Sequence, residues 1–266
     1  MTRTTSEKPV VLITGASAGL GEAMAHRFAR GGWRIVAVAR RKERLDALAR
    51  ELSAQTEVET VGVDVTLKDA ADTAVAAAMK RFGRLDCLVN NAGSFKFAPV
   101  HQTDDSMLDE VVDISLKAPF RFCRAALEVM QPGSSIVNIG SVWGILAGMA
   151  GAGYCTVKAA LIGMTQSIAI DYGRKGIRAN LVAPGVVKTD MTKDFWDTDY
   201  FQRTNQELTP LNRDCTLADV ANMVFFLASE EAGVISGQTI ALDGGWSTTK
   251  FLSREAAVAE RVPTKG

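Results

Sequence analysis

Apolar and polar residues alternate along the chain in blocks that predict strands and helices in turn. Short continuous apolar runs, which are typical of strands buried on both faces, precede longer segments with helical periodicity. The predicted strands are residues 10–14, 34–39, 58–65, 85–90, 135–139, 177–183 and 238–242, and the helices are residues 22–29, 42–52, 67–82, 104–130, 154–172 and 217–228. This order predicts a single α/β domain: a seven-stranded parallel sheet with right-handed crossovers and helices on both faces.

The segment 191–208 interrupts this alternation. It carries Phe195, Trp196, Tyr200 and Phe201 among polar residues. Two interpretations remain open, which are a lid at about 190–209 over a partly apolar substrate and a surface helix with a packed aromatic face. At the ends of the chain, we expect a short disordered segment at 1–8 and a charged extension at 247–266.

A glycine-rich turn connects the first predicted strand to the first helix. Glycines let a backbone approach a pyrophosphate closely, and a helix N-terminus offers amide donors, so strand, turn and helix predict half of a dinucleotide-binding unit. The spacing is Gly-x-x-x-Gly-x-Gly rather than the more general Gly-x-Gly-x-x-Gly. The residues predicted to hold the cofactor here are Gly15, Ser17, Ala18, Gly19, Leu20 and Gly21.

The end of the second strand bears on the choice between NADP(H) and NAD(H). An acidic residue there would bind the adenosine ribose of NAD, whereas arginine accommodates the 2′-phosphate of NADP. This chain has Ala39-Arg40-Arg41 and no carboxylate, which favours NADP(H) over NAD(H). The alternative is a basic start to a solvated helix. Asp64, at the end of the third strand, is either a ligand of the adenine amino group or a helix N-cap.

The stretch from Ser141 to Lys158 carries the predicted chemistry. Tyr154 and Lys158 are four residues apart, so they lie on one face of a helix. An ammonium beside a phenol lowers the pKa of the phenol, which then exchanges a proton with a substrate oxygen. Ser141, at the preceding strand end, is placed to hold the same oxygen. The alternative is a surface lysine packed along a half-buried tyrosine.

Composition excludes several classes of protein. Thirty basic and thirty acidic residues give no net charge, which argues against an electrostatic nucleic-acid or membrane-surface binder. No apolar run approaches the length of a membrane span, and the polar N-terminus lacks the apolar segment of a signal peptide. The four cysteines have no metal-site spacing and there are two histidines, so we expect reduced thiols, no metal and a cytoplasmic protein.

Together these motifs resemble the short-chain dehydrogenase/reductase family over about residues 9–246. The segments that carry the resemblance are Thr14-Gly15-Ala16-Ser17-Ala18-Gly19-Leu20-Gly21, Asn90-Asn91-Ala92-Gly93, Ser141, Tyr154-x-x-x-Lys158, Asn180-x-x-x-Pro184-Gly185 and Asp243-Gly244-Gly245. The resemblance implies a Rossmann fold, a nicotinamide cofactor and a homotetramer or homodimer. Small residues on the predicted helix 154–172 are compatible with close packing against a second subunit.

The resemblance also implies residue roles. Tyr154 is the proton donor or base, Lys158 lowers the pKa of Tyr154 and holds the nicotinamide ribose, and Ser141 orients the substrate oxygen. Arg40 occupies the basic position of NADP-preferring relatives. Further cofactor residues implied are Arg41, Asp64, Val65, Asn91, Ala92, Gly93, Pro184, Gly185, Val187 and Thr189.

The chain departs from the family pattern at Ser115. Relatives usually carry a catalytic asparagine there, whose main-chain carbonyl holds a water that relays protons to the lysine. A backbone carbonyl survives the change to serine, but a hydroxyl cannot make all the hydrogen bonds of an amide. We therefore expect a working but altered relay.

The leading functional hypothesis is an NADP(H)-dependent carbonyl reductase or alcohol dehydrogenase acting on a small ketone or secondary alcohol. One alternative is a β-ketoacyl thioester reductase of the same family, although the segment 188–203 mixes acidic and basic residues rather than being basic. The other is a non-catalytic, NADP(H)-binding or redox-sensing protein that retains the fold.

Overall fold

A parallel seven-stranded sheet, in the order β3-β2-β1-β4-β5-β6-β7, forms the centre of the computed structural model. The structure describes residues 8–193, 196–206, 209–211 and 213–248. The strands are β1 (Val10–Thr14), β2 (Arg34–Ala39), β3 (Val58–Gly62), β4 (Cys87–Asn90), β5 (Ser135–Ile139), β6 (Arg178–Pro184) and β7 (Thr239–Leu242). The predicted fold class, a single α/β domain with this sheet, is confirmed.

Helices cover both faces of the sheet. They are α1 (Gly19–Arg30), α2 (Lys42–Leu52), α3 (Ala70–Phe82), α4 (Asp105–Val112), α5 (Ala118–Val129), α6 (Ala152–Gly173), the short α7 (Asp199–Phe201) and α8 (Leu217–Ala228). Successive side chains of β1 face opposite sides. Val11 and Ile13 pack in the core with α1, α2 and α8, while Val10 and Leu12 pack in the core with α3, α5 and α6. Because both faces are buried, the strands are apolar throughout.

The strand order places the functional edge of the sheet. β1 is hydrogen-bonded to β2 on one side and to β4 on the other. The chain adds β2 and β3 on one side of β1 and then returns to add β4 to β7 on the other side. In doubly wound sheets a crevice opens at this point, outside the carboxyl ends of the strands. The loops after β1, β2, β4, β5 and β6 therefore meet at one edge.

Two predicted boundaries are wrong near this edge. The strand predicted at 58–65 ends at Gly62, because Asp64 turns the chain by accepting hydrogen bonds from the Thr66 amide (2.9 Å) and hydroxyl (2.8 Å). The helix predicted from residue 67 begins only at Ala70, with Asp69 at its N-cap position. Asp64 is therefore not the N-cap of α3.

The single helix predicted at 104–130 is interrupted by a π-helical turn, Asp113–Lys117. Pro119 explains the interruption, because it has no N–H to donate to the Ser115 carbonyl four residues earlier. The Ala118 amide instead reaches back five residues to the Asp113 carbonyl. The chain continues directly into α5, so the interruption changes the hydrogen bonding around Ser115 without ending the helical path.

Two further properties concern the whole described part of the chain. Cys87, Cys123, Cys155 and Cys215 are all free thiols, as expected. Within the described ranges, no helix is both long and apolar enough to span a membrane.

Candidate active site

The loops at the carboxyl edge of the sheet surround a cavity of about 1190 Å³. This volume exceeds that of most small-ligand pockets and suits a dinucleotide together with a substrate. The predicted site residues that line the cavity are Gly15, Ser17, Ala18, Gly19, Leu20, Arg40, Arg41, Asp64, Val65, Asn91, Ala92, Gly93, Ser141, Tyr154, Lys158, Pro184, Gly185, Val187, Thr189 and Phe201. The structure thus brings together residues from the whole length of the sequence.

The glycine-rich turn leaves no room for side chains where the backbone turns into α1. Gly15 has φ +70°, a conformation that favours glycine. A Cβ atom on Gly21 would lie 2.2 Å from the Gly15 carbonyl oxygen, so Gly21 lies beneath the cavity and packs the turn against the helix. Ala18, at the N-cap of α1, offers no side-chain acceptor to the first amides of the helix. These amides are therefore available to a pyrophosphate, and the residues present fit a dinucleotide.

A cluster of charged and polar side chains lies beside this turn. Arg41 Nη2 donates to Ser17 Oγ at 3.1 Å, and Arg40 Nη1 is 3.9 Å from Asp64 Oδ2. Hydrogen bonds from Thr66 and the charge of Arg40 lower the pKa of Asp64. Asp64 is therefore ionised at neutral pH and offsets part of the positive charge. Two guanidinium groups and a hydroxyl still face one corner of the cavity, which is the geometry that a phosphate needs.

A polar network fixes the loop after β4. Thr14 Oγ1 accepts hydrogen bonds from the amides of Asn91 (2.9 Å) and Ala92 (3.0 Å), and Asn91 Nδ2 donates to the Thr14 carbonyl at 2.8 Å. Below it, Asn90 Nδ2 donates to Asn138 Oδ1 at 2.8 Å in the buried sheet. Asn90 therefore ties β4 to β5, and Asn91 rather than Asn90 lines the cavity.

Ser141, Tyr154 and Lys158 converge at the opposite end of the cavity. Ser141 follows β5 and its hydroxyl accepts a hydrogen bond from the Trp143 amide at 3.1 Å. Tyr154 and Lys158 lie one turn apart on α6, with Lys158 Nζ 5.5 Å from the centroid of the Tyr154 ring. Lys158 Nζ also donates to the Ile139 carbonyl at 2.7 Å. The lysine is thus held at the end of the strand that presents Ser141.

The protonation of these groups differs from the sequence-based expectation. Burial raises the pKa of Tyr154 to about 12, although a hydrogen bond with Ser141 acts in the opposite direction. Burial also lowers the pKa of Lys158 to about 8. Lys158 is not among the groups that shift the pKa of Tyr154, so the expected lowering is not found, and desolvation of the phenolate is the largest cause of the shift. At neutral pH, Tyr154 is a neutral phenol and Lys158 is mostly charged.

Comparison with known proteins agrees with this geometry. A family model described as enoyl-(acyl carrier protein) reductase matches residues 15–247. The A-factor type gamma-butyrolactone 1′-reductase (1S-forming) of Streptomyces virginiae is 37% identical over 245 residues, covering 90% of this chain and 95% of that protein. The chain belongs to the short-chain dehydrogenase/reductase family. As a member of this family it is an oxidoreductase.

Two further relatives of this short-chain dehydrogenase/reductase extend the comparison. The 3-oxoacyl-[acyl-carrier-protein] reductase FabG of Thermotoga maritima is 35% identical over 242 residues, which cover 90% of this chain and 98% of that protein. The crystal structure of a blue fluorescent protein from a metagenomic library, in complex with NADPH, has a TM-score of 0.85 and 33% identity. It covers 90% of this chain and 98% of that one.

Ser115, at the position of the family asparagine, does not line the cavity of this dehydrogenase/reductase. It is buried in the π-helical turn, where its hydroxyl accepts a hydrogen bond from the Ser94 amide at 3.3 Å. A Cβ atom on Gly93 would lie 3.6 Å from Ser115 Oγ and 3.7 Å from Lys158 Nζ. Ser115 is therefore close behind the cavity wall, on the side of Lys158.

The four aromatic residues predicted as a lid have different positions. Phe201 is buried and lines the cavity, whereas Trp196 is buried behind it, with ring centroids 5.1 Å apart. Phe195 lies outside the described residues, and the side chain of Tyr200 is not among those described. Within the described residues, the Trp196 ring packs internally against Phe201 and the Phe201 ring faces the cavity, so the lid stays a prediction.

Sequence reasoning missed an aromatic cluster beside Tyr154. Phe95, Phe97 and Trp143 line the cavity, and we call them the aromatic cluster. Phe95 and Phe97 follow the Asn-Asn-Ala-Gly motif, and Trp143 is two residues after Ser141. Because loops after parallel strands meet at one edge, their position after β4 and β5 was a signal that could have placed them near Tyr154.

Among the described side chains, no group of three or more metal-binding residues is present.

Proposed function

We propose that this chain is an NADP(H)-dependent oxidoreductase that interconverts a ketone and a secondary alcohol, with Tyr154 as the general acid and base. The observation that supports this most is the position of Ser141, Tyr154 and Lys158 in the same cavity as the glycine-rich turn. A dinucleotide whose pyrophosphate lies at α1 would extend along this cavity towards Tyr154. When bound, NADPH supplies a hydride to the carbonyl carbon and becomes NADP⁺.

The residues proposed to hold the cofactor occupy separate parts of the cavity. The turn from Gly15 to Gly21 and the first amides of α1 take the pyrophosphate, and Arg40 and Arg41 take the 2′-phosphate of NADP(H). Asp64 and Val65 would lie beside the adenine, while Lys158 would hydrogen-bond the nicotinamide ribose. NAD(H) is the less favoured cofactor, because no carboxylate ends β2. The NADPH-bound structure with 33% identity supports the choice of NADP(H).

Tyr154 is proposed to donate the proton that the carbonyl oxygen needs as the hydride arrives. A pKa of about 12 keeps its phenol protonated at neutral pH, which is the form that donates a proton to a carbonyl oxygen. Ser141 donates a hydrogen bond to the same oxygen and holds the carbonyl in line. Lys158, with a pKa of about 8, remains mostly charged at pH 7 and favours the phenolate left after proton transfer.

The path that returns a proton to this site is proposed to pass by Ser115. Pro119 cannot donate to the Ser115 carbonyl, so that carbonyl keeps free capacity to accept a hydrogen bond from water. Ser115 Oγ and Lys158 Nζ both lie within 3.7 Å of the place that a Cβ atom on Gly93 would take. This proximity of the two residues supports a relay in which the backbone, rather than an amide side chain, holds the water. The serine hydroxyl binds the Ser94 amide instead.

Reduction of a β-ketoacyl thioester is the second candidate function. The FabG relative favours it. A carrier's phosphate would need a basic residue at the substrate end of the cavity, where the described lining has Glu110, Asp113 and Asp190. This charge pattern favours an uncharged ketone.

We also propose that the protein works in the cytoplasm and forms a homotetramer or homodimer. Size-exclusion chromatography with light scattering would test the oligomeric state.

Steady-state kinetics test this proposal. Purified protein would be assayed with NADPH and NADH on ketones, diketones and acetoacetyl-CoA, and with NADP⁺ and NAD⁺ on matching alcohols. We expect NADPH-dependent reduction of at least one uncharged ketone, and a loss of about 10²- to 10⁴-fold in kcat for Tyr154→Phe, since general acid catalysis contributes about that much. Tight NADPH binding without any turnover would instead support a non-catalytic, redox-sensing role.

A further inference from the structure

The aromatic cluster forms a continuous wall against the ring of Tyr154. The centroid of Phe95 is 4.7 Å from that of Tyr154 and 4.3 Å from that of Phe97, and both pairs are edge-to-face. Trp143 completes the wall, 5.6 Å from Phe95 and 6.0 Å from Phe97. Half of the Phe97 surface remains exposed although the ring lines the cavity. The wall therefore offers aromatic surface to a molecule whose oxygen reaches Tyr154.

Neighbouring backbone fixes the position of this wall. A Cβ atom on Gly148 would lie 2.2 Å from the indole of Trp143, so the loop after β5 is folded directly onto the ring. The Ala98 amide donates to the Ala150 carbonyl at 2.7 Å, which ties the loop carrying Phe97 to the loop that covers Trp143. The rings are thus held by two mutually connected loops, as a preorganised binding surface requires.

Charges around the cavity divide it into two ends. The basic side chains among its described lining residues are Arg40, Arg41 and Lys158. The first two lie at the glycine-rich turn, and Lys158 is buried with its ammonium on the Ile139 carbonyl. Glu110 lines the cavity near the aromatic cluster and is paired with Lys96 at 3.0 Å. An anionic substrate would therefore find no basic side chain among the described lining residues at this end.

We infer that the aromatic cluster selects an uncharged ketone that carries an aryl group on its carbonyl carbon. This inference rests on the proposed function, since it names the substrate class of the same site. An aryl ring beside the carbonyl would pack against Phe97 and Trp143 while its oxygen reaches Tyr154 and Ser141. Such ring pairs favour offset or edge-to-face packing, which an alkyl or cyclohexyl group of equal size cannot reproduce.

A matched series of methyl ketones with eight carbons tests the inference. Acetophenone, cyclohexyl methyl ketone and 2-octanone differ in the group on the carbonyl carbon but not in carbon number. The measured quantity is the ratio of kcat/KM for acetophenone to kcat/KM for cyclohexyl methyl ketone. Because conjugation lowers the intrinsic reactivity of an aryl ketone, the decisive result is the change of this ratio between wild type and variants.

Three variants perturb the wall, and a fourth variant, at a position outside the cavity, serves as the control. Phe97→Leu and Trp143→Leu each remove a ring, and Gly148→Ala keeps every ring but displaces the indole. We expect each to lower the ratio about three- to tenfold, the worth of one aromatic pair. Phe120→Leu removes an exposed ring on α5 that does not line the cavity, so the ratio should stay unchanged.

A binding measurement separates this inference from the proposed function. The protein is titrated calorimetrically with the same ketones in the presence of NADP⁺. Because NADP⁺ has no hydride to donate, the titration measures ketone binding without reduction. If acetophenone binds more tightly than cyclohexyl methyl ketone, and Phe97→Leu removes this difference, the result supports aryl selection. If in addition no ketone is reduced, the proposed function fails while aryl selection stands. Turnover with an unchanged ratio in all three wall variants overturns aryl selection and leaves the proposed function standing. Preference for acetoacetyl-CoA or 4-acetylbenzoate over acetophenone also overturns it.

Discussion

Replacing Arg40 with alanine should weaken NADPH binding and leave NADH binding almost unchanged. Arg40 lies at the end of β2, where the two cofactors differ only by the 2′-phosphate that NADPH carries. The side chain of Arg40 is 75% exposed, so its removal leaves no buried cavity and the fold should be retained. The substitution therefore isolates one charge.

The expected magnitude follows from the contacts of Arg40. A hydrogen bond to a charged group contributes about 1.5–3 kcal/mol, but exposure to solvent reduces this contribution. Asp64, 3.9 Å from Arg40, competes with the phosphate for the same guanidinium and reduces it further. We expect a loss of about 1–2 kcal/mol, which corresponds to an increase of about 5- to 30-fold in the Kd of NADPH.

Fluorescence titration with NADPH and NADH measures both dissociation constants. Arg44→Ala is a matched control, since it removes the same charge from the exposed face of α2, away from the cavity. Added salt should weaken wild-type binding of NADPH more than that of NADH, because the Debye length falls from about 10 Å at 0.1 M to about 3 Å at 1 M. Equal weakening of both cofactors in Arg40→Ala, or equal wild-type affinities, would refute the assignment of the phosphate to this corner.

Three other substitutions probe the site. Burial lowers the pKa of Lys158 from 10.5 to about 8, and the resulting penalty on folding is fully present below pH 8 and relieved as pH rises to 10.5. Lys158→Met should therefore raise stability by roughly 1–3 kcal/mol at pH 7, and thermal unfolding should show most of this gain lost by pH 10; a gain that does not vary with pH would contradict it. Gly21→Ala places a methyl group 2.2 Å from the Gly15 carbonyl oxygen and should abolish cofactor binding in calorimetry, unlike Gly163→Ala, whose Cβ meets nothing within 4 Å. Ser115→Asn should shift the pH profile of kcat, and an unchanged rate and profile would remove Ser115 from the proton path.

Strand positions were predictable because both faces of the sheet are buried. Five residues of β1, Val10–Thr14, are all buried, and such runs mark parallel strands in sequence. The carboxyl-edge placement of the turn at Gly15 and of Ser141 followed from topology alone. Sequence periodicity could not place the π-helical turn, because the decisive feature is a missing hydrogen-bond donor at Pro119 within an otherwise helical pattern.

The pKa values and the aromatic wall depended on tertiary structure. Tyr154 and Lys158 are one helical turn apart in any helix, but the desolvation that shifts their pKa values depends on the groups packed around them in the fold. Phe95 and Trp143 are 48 residues apart in sequence, yet their centroids lie 5.6 Å apart. Their contact results from loops that follow neighbouring strands, whose conformations the sequence pattern does not specify.

Transfer of deuterium from NADPH that carries deuterium at both C4 positions of the nicotinamide is the most direct test of Tyr154-assisted ketone reduction. Wild-type protein and Tyr154→Phe would be incubated with the labelled cofactor and a ketone, at concentrations that saturate both proteins with NADPH. Mass spectrometry of the alcohol should show one deuterium on the carbinol carbon for wild type, and product formation at least about 100-fold slower for the variant. An alcohol without deuterium, or equal rates for the two proteins, would contradict the proposed reaction.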